Sequence, residues 1–168
     1  MAFYSVSSVS ELQNIIIPHF LKYNLLTQKA ADFLLFCKVV ELINSKAHLS
    51  IEGLHQIINI KVSMNTGRFK NLLDFSNIQI KPVERPLINT SAIPDPKWVS
   101  GFVNGEGTFD VKIYSSKTKV GHAVQLRFRV PQHERDTKLI EILKSYFESG
   151  SLEKHTVAKL SCYNVQCY

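Results

Sequence analysis

Between Trp98 and Ile113 the chain reads WVSGFVNGEGTFDVKI, and within this stretch the hydrophobic period changes from about 3.6 to 2. A helix must therefore end, and a strand begin, within a residue or two of Gly107. Asp95 followed by Pro96 is a strong helix start, with a side-chain acceptor at the N-cap and a proline where its missing N–H costs nothing. From there Trp98, Val99, Phe102 and Val103 give one apolar side, and the helix is expected to run to about Gly105. The opposite side, Ser100, Gly101, Asn104 and Gly105, is almost bare of side chains. Each glycine costs about 1 kcal/mol against alanine inside a helix, which asks for a reason. Close approach of another helix is one; ordinary packing within one domain is the other. Glu106 falls at the negative pole of the helix dipole, where a carboxylate is disfavoured unless something positive compensates. A divalent cation would do so, as would plain solvation.

Past Gly107 the alternation is strict. Phe109, Val111 and Ile113 alternate with Thr108, Asp110, Lys112 and Tyr114; after the loop SSKTKVG, Val124, Leu126, Phe128 and Val130 alternate with Gln125, Arg127 and Arg129. The two strands form a hairpin with one apolar face toward a core. Its other face carries the donors and acceptors that read base edges and phosphates, although a merely solvated face has the same residue types. In ERDTKLIEILKSYFESG, Leu139, Leu143, Tyr146 and Phe147 have helical spacing and Gly150 marks the end, which predicts a helix on the apolar face. SLEKHTV and LSCYNVQCY read as two further short strands. The class is α+β.

Upstream, the chain is helical. Ser8 and Glu11 make a capping box, and Phe33, Phe36, Val40 and Ile43 follow at helical spacing. A third helix opens at Ser50, shows Leu54, Ile57, Ile58 and Val62 on one side, and is expected to stop near Asn65 to Gly67. Pro82, Pro86, Pro94 and Pro96 then crowd together, so the division is helices over 1–67, a Pro-rich linker over 68–95, and a helix-plus-sheet part over 96–168.

Composition narrows the function. At 168 residues and 45% hydrophobic the chain can bury a real core, and no run approaches the roughly 18 apolar residues of a membrane span, so no membrane partner is expected. MAFYSVSSVSEL has neither the layout of a secretory signal nor that of a transit peptide. Cys37, Cys162 and Cys167 lack CxxC spacing and an even count, and read as small buried hydrophobes rather than a disulfide framework or zinc site. A net charge of +6 suits a polyanion, although a basic surface alone is as often merely solvated. HExxH, GxSxG and Walker loops are absent, and His133 has no nucleophile partner in the sequence, so it reads as structural.

WVSGFVNGEGTF resembles the signature helix of the LAGLIDADG homing endonucleases, with residues 99–107 on the nine-residue motif and Glu106 on its acidic metal position. VQLRFRVPQHERDTKLIEILKSYF resembles the second strand and following helix of the fungal, intron-encoded branch. NIIIPHFLKYNLLTQKAADFLLFCKVVELI and HLSIEGLHQIINIKVSMNTG resemble the helices that close one repeat. The resemblance implies a motif helix and a four-stranded antiparallel saddle sheet backed by helices. It further implies site-specific double-strand cleavage with Mg²⁺ and a mitochondrial, organelle-encoded setting. Glu106 with the Gly105 carbonyl would hold the metal, Gln132 would orient solvent, and Lys29 would be the basic residue near the cleft. Thr108, Asp110, Lys112, Tyr114, Gln125, Arg127 and Arg129 would face DNA, extended by Ser151, Glu153, His155, Asn164 and Gln166, with Lys117 and Lys119 on phosphates. Ser100, Gly101, Asn104 and Gly105 would meet a second motif helix. Only one motif is present, in an order that fits either a fragment of a two-repeat protein or a permuted single repeat. A homodimer or a complementary chain is therefore expected to complete the site. The alternative function is a non-cleaving binder of intron RNA, such as a splicing maturase.

Overall fold

The computed structural model describes residue 2 and residues 4–64, 79–88, 95–155 and 160–167. The chain divides into two compact units, Met1–Ile88 and Asn89–Tyr168. The division falls inside the stretch read as a linker, and residues 68–78 and 89–94 of that stretch lie outside the described residues.

The first unit is helical. Helix α1 (Val9–Glu11) is capped by Ser8, whose Oγ accepts from the Glu11 backbone N–H at 3.4 Å. It passes through a π-turn (Leu12–Ile16) into α2 (Ile17–Lys22). Pro18 explains the widening: its ring has no N–H for the carbonyl one turn back, and the π-turn takes up the displaced backbone. Helix α3 (Lys29–Asn44) buries Ala30, Ala31, Leu35 and Val40, so its most buried stripe is one position off the expected Phe33 and Phe36, which are half-buried. Helix α4 (Ile51–Ser63) is capped by Ser50, whose Oγ accepts from the Gly53 N–H at 3.0 Å. It ends at Ser63, and the expected stop at 65–67 lies outside the described residues.

Residues 79–88 have no regular structure, yet they are strapped to these helices. The Arg85 guanidinium donates to Asp32 Oδ1 at 2.7 Å, to the Gln28 carbonyl at 3.4 Å and to the Ser63 carbonyl. Ser63 Oγ donates to the Val83 carbonyl at 2.8 Å. Prolines stop this segment from forming a helix or a central strand, and side chains from the helices pair with its backbone polar groups instead.

The second unit opens with α5 (Pro96–Glu106), where Asp95 accepts from the Lys97 N–H at 2.8 Å as the sequence requires. Strands β1 (Thr108–Ser115), β2 (His122–His133), β3 (Ser151–His155) and β4 (Leu160–Cys167) form one antiparallel sheet in the order β1-β2-β4-β3. Helix α6 (Thr137–Phe147) packs on β4, β3 and β2. Val99, Val130, Ile140, Leu143 and Tyr163 form the buried core, flanked by Trp98, Phe102, Phe128, Tyr146 and Leu152. Gly150, with φ of +79°, makes the turn into β3; a side chain there would also meet the Asn164 carbonyl at 2.7 Å. This is the chain's reason for a glycine after the helix, three residues beyond the observed end at Phe147.

One expectation fails in part. The apolar face of the hairpin was expected to face a core throughout, with a helix upon it. Only its inner end, Phe128 and Val130, is covered, whereas Phe109, Val111, Ile113, Val124 and Leu126 are exposed, Phe109 to 77%. The cause is strand order. β1 is an edge strand remote from β3 and β4, and an 11-residue helix seated on those strands reaches only the near end of β2. Among the described residues, no helix is long and apolar enough to cross a membrane.

Candidate functional site

Helix α5 delivers Glu106 as its last residue, exposed to solvent. Gly107 follows in extended conformation, its N–H returning to the Val103 carbonyl at 2.7 Å. By helix geometry the carbonyls after Val103, Gly105 among them, have no intrahelical donor. A carboxylate and a free carbonyl thus share one helix end. These are hard oxygen donors, the kind Mg²⁺ and Ca²⁺ take. Among the described residues no cluster of three or more His, Cys, Asp and Glu could hold a metal, so Glu106 would need ligands from elsewhere.

The bare side of α5 stays bare. Ser100, Gly101, Asn104 and Gly105 are exposed, and a Cβ built on Gly101 or Gly105 meets nothing within 4 Å. Ser100 Oγ donates to the Pro96 carbonyl at 3.0 Å.

The sheet begins two residues past Glu106. The ladder pairs Thr108 with Arg129, Asp110 with Arg127 and Lys112 with Gln125; it also pairs Arg129 with Asn164 and Asn164 with Ser151. Directly paired residues share a face, so the residues expected to read DNA lie on one side of the sheet. Asp110 is their centre. Arg127 donates to it through Nε, at 3.1 Å, and through Nη2, while Arg129 Nη2 reaches the same carboxylate at 3.2 Å. The hydrogen bond from Arg127 holds the Asp110 carboxyl below the usual carboxylate range despite some desolvation, and the charges of Arg127, Arg129 and Lys112 add to it. On the far strands Asn164 Nδ2 donates to Glu153 Oε1 at 2.8 Å. Lys112 sits over the Tyr114 ring, 5.7 Å from its centroid.

Not every expected reader is available. Gln125 is 5% exposed and Asn164 2%, so they are held within the sheet rather than offered to a ligand. The backbones of His155 and Gln166 pair with Leu160 and Arg127 as the register requires; their side chains lie outside the described residues. Lys117 and Lys119 are exposed in the hairpin loop, which Thr118 Oγ1 braces by donating to the His122 carbonyl at 2.6 Å. Gln132 pairs with Ser161 on the α6 side of the sheet, opposite to Arg127 and Arg129, and is half-buried. Lys29 is exposed at the first turn of α3, on the other unit. His133 Nδ1 accepts from the Arg135 N–H at 3.3 Å and so caps the short turn before α6, a structural use. Burial pushes the Cys37 and Cys162 thiols up, away from reactivity.

The Asp110 cluster was missed as a cluster, although a signal existed. Alternation and the loop ends fix the hairpin register, and that register sets an acidic residue opposite a basic one. Arg85 had no such signal, because nothing local in a Pro-rich run tells where an arginine will anchor.

The sequence model of the LAGLIDADG endonuclease family matches residues 1–40 and 99–167. Over 153 residues the chain is 49% identical to Probable intron-encoded endonuclease 3 of Neurospora crassa, a match covering 90% of the chain and 28% of that protein. It is 35% identical over 167 residues to Probable intron-encoded endonuclease 2 of the same fungus, covering 94% of the chain and 35% of that protein. Among solved structures it is similar to I-SmaMI bound to uncleaved DNA target in the presence of calcium ions, at 42% identity and a TM-score of 0.89, over 96% of the chain and 55% of that one. It is similar also to the I-LtrWI LAGLIDADG homing endonuclease bound to target DNA, at 41% identity and a TM-score of 0.89, over 98% and 55%. The chain therefore spans about a third or less of these curated relatives and about half of the solved chains.

Proposed function

The chain belongs to the LAGLIDADG endonuclease family, and from that premise we propose that it works as one part of a site-specific, metal-dependent double-strand DNA endonuclease. The observation that carries this reading is the junction at Gly107. An exposed carboxylate ends a helix whose open side is bare, and two residues later a sheet face rich in Arg, Lys and Asp begins. Cleavage chemistry and DNA grip are thereby joined within one turn of chain.

In this reading Glu106 and the Gly105 carbonyl hold a divalent ion, Mg²⁺ in the cell. When bound, the ion neutralises charge on the scissile phosphate and lowers the pKa of the attacking water. The carboxylate also fixes where the phosphate sits relative to the sheet. Gln132 orients solvent, and Lys29, on the other unit, is the basic residue that the family resemblance implies. Thr108, Lys112, Tyr114, Arg127 and Arg129 meet the major groove, Ser151 and Glu153 extend the contact, and Lys117 and Lys119 meet phosphates. A second motif helix, from another copy, a complementary chain or a further segment of a longer two-repeat protein, brings the second carboxylate through the face of Ser100, Gly101, Asn104 and Gly105. The relatives are intron-encoded in fungi, which supports a mitochondrial setting.

The test is incubation with intronless DNA of the host gene in Mg²⁺ or in Ca²⁺, with light scattering for mass. Cleavage at one site by a species larger than one chain is expected in Mg²⁺. Binding of intron RNA with no DNA cleavage by any assembled form would replace this reading with the maturase one.

A graded prediction concerns recognition. Arg129→Ala is expected to cost about 1–3 kcal/mol on the preferred sequence if its guanidinium reads a base edge, and to relax preference at one position. Lys117→Ala and Lys119→Ala are expected to weaken all sequences alike, each flattening the slope of log affinity against log salt by about 0.9. Titrations on preferred and scrambled duplexes at several salt concentrations separate the two effects.

A further inference from the structure

We propose that Asp110 is a positioning residue that aims Arg127 at a guanine, rather than a direct reader of DNA. The inference rests on the proposed DNA-binding role and follows from how the donors of one guanidinium are divided. Arg127 carries five N–H bonds in a planar fork. Its Nε and one Nη2 hydrogen are committed side-on to the two oxygens of Asp110. Nη1 has no bonding partner among the described residues, and 20% of the side chain remains exposed. What is left is an end-on pair, Nη1 and the second Nη2 hydrogen, held in one plane by the carboxylate behind it. That pair matches two acceptors side by side, which in the major groove is the O6 and N7 edge of guanine.

Arg129 is different. It gives Asp110 a single bond of 3.2 Å, and its Nε is buried with no partner, so its fork is not fixed in the same way. Asp110 itself has both oxygens engaged by arginine, which leaves little acceptor capacity for a cytosine amino group. A guanidinium that is already oriented loses less rotamer freedom on binding, so the gain is in selectivity as well as in affinity. Two phosphate oxygens would suit the same fork, and the experiment separates the two sources.

The test selects preferred sites from randomised duplex DNA with the wild-type chain, Arg127→Ala, Asp110→Asn and the double variant. A guanine preference at one position is expected for wild type, lost in Arg127→Ala. Asp110→Asn keeps the shape but frees the fork: the guanine preference should fall about tenfold while affinity for random DNA rises, since a negative charge has left the DNA-facing surface. The double variant should match Arg127→Ala in having no guanine preference, because Asp110 shapes that preference through the arginine, while the charge effect on random DNA remains. Replacing the selected guanine by 7-deazaguanine, which removes N7 and leaves the phosphates intact, should weaken wild type and spare Arg127→Ala. Asp110→Glu keeps the charge but displaces the fork and should also lose preference, so geometry is tested even if Asp110→Asn folds poorly. Unchanged guanine preference in both Asp110 variants overturns the proposal. So does an Asp110 effect on guanine preference that persists without Arg127, or indifference of wild type to 7-deazaguanine. A wild-type chain with no sequence preference at all would remove the DNA-reading premise itself, a result distinct from these.

Discussion

Glu106→Gln is expected to lower strand cleavage by about three orders of magnitude or more while leaving target affinity within a few-fold. The amide keeps the size of the side chain and its place at the end of α5 but brings no charge to a divalent ion. The several kcal/mol that such an ion supplies to charge stabilisation convert at about 1.4 kcal/mol per factor of ten. Folding should not suffer. Glu106 is exposed, and removing a carboxylate from the C-terminal pole of a helix is mildly favourable, by about 0.3–1 kcal/mol. Single-turnover cleavage of the target, beside binding in Ca²⁺, separates the two quantities. Wild-type cleavage by the variant would remove Glu106 from the metal site.

The junction that carries this prediction was legible in the sequence because each of its signals is local. An Asp-Pro start fixes where α5 begins, glycines and the change of period fix where it ends, and alternation fixes which side chains share a sheet face. What was not legible depends on tertiary neighbours. Alternation says that Phe109, Val111 and Ile113 lie on one face, but not that β1 would be an edge strand beyond the reach of α6. It puts Gln125 and Asn164 with the polar set, but burial is decided by the strands on either side, and both proved to be held inside. In the same way the Pro-rich composition of 79–88 excludes helix and central strand, yet it carries no information about the three groups that Arg85 finds on the helices.

The bare side of α5 gives the second large effect, and the local geometry makes it unusually clean to interpret. A Cβ added at Gly101 or Gly105 meets no heavy atom within 4 Å beyond the backbone of its own helix, so a side chain there starts into open space. Gly107 is the contrast, since a Cβ there would stand 2.6 Å from the Val103 carbonyl and would disturb the chain by itself. Replacing a helical glycine also removes about 1 kcal/mol of backbone penalty, so Gly101→Leu and Gly105→Leu should leave the melting temperature unchanged or raised. Any loss of function must then come from what the face meets. If a second motif helix packs there about a twofold axis, each copy adds an overpacking cost of about 1–3 kcal/mol. Two copies then weaken association by about 2–6 kcal/mol, and cleavage fails with it because Glu106 no longer has its counterpart across the axis. Sedimentation of wild type and variants with target DNA, run beside thermal melts, reads both quantities. Wild-type mass and wild-type cleavage in Gly101→Leu would mean that the glycines face solvent in the working protein, and the second carboxylate would have to arrive by another surface.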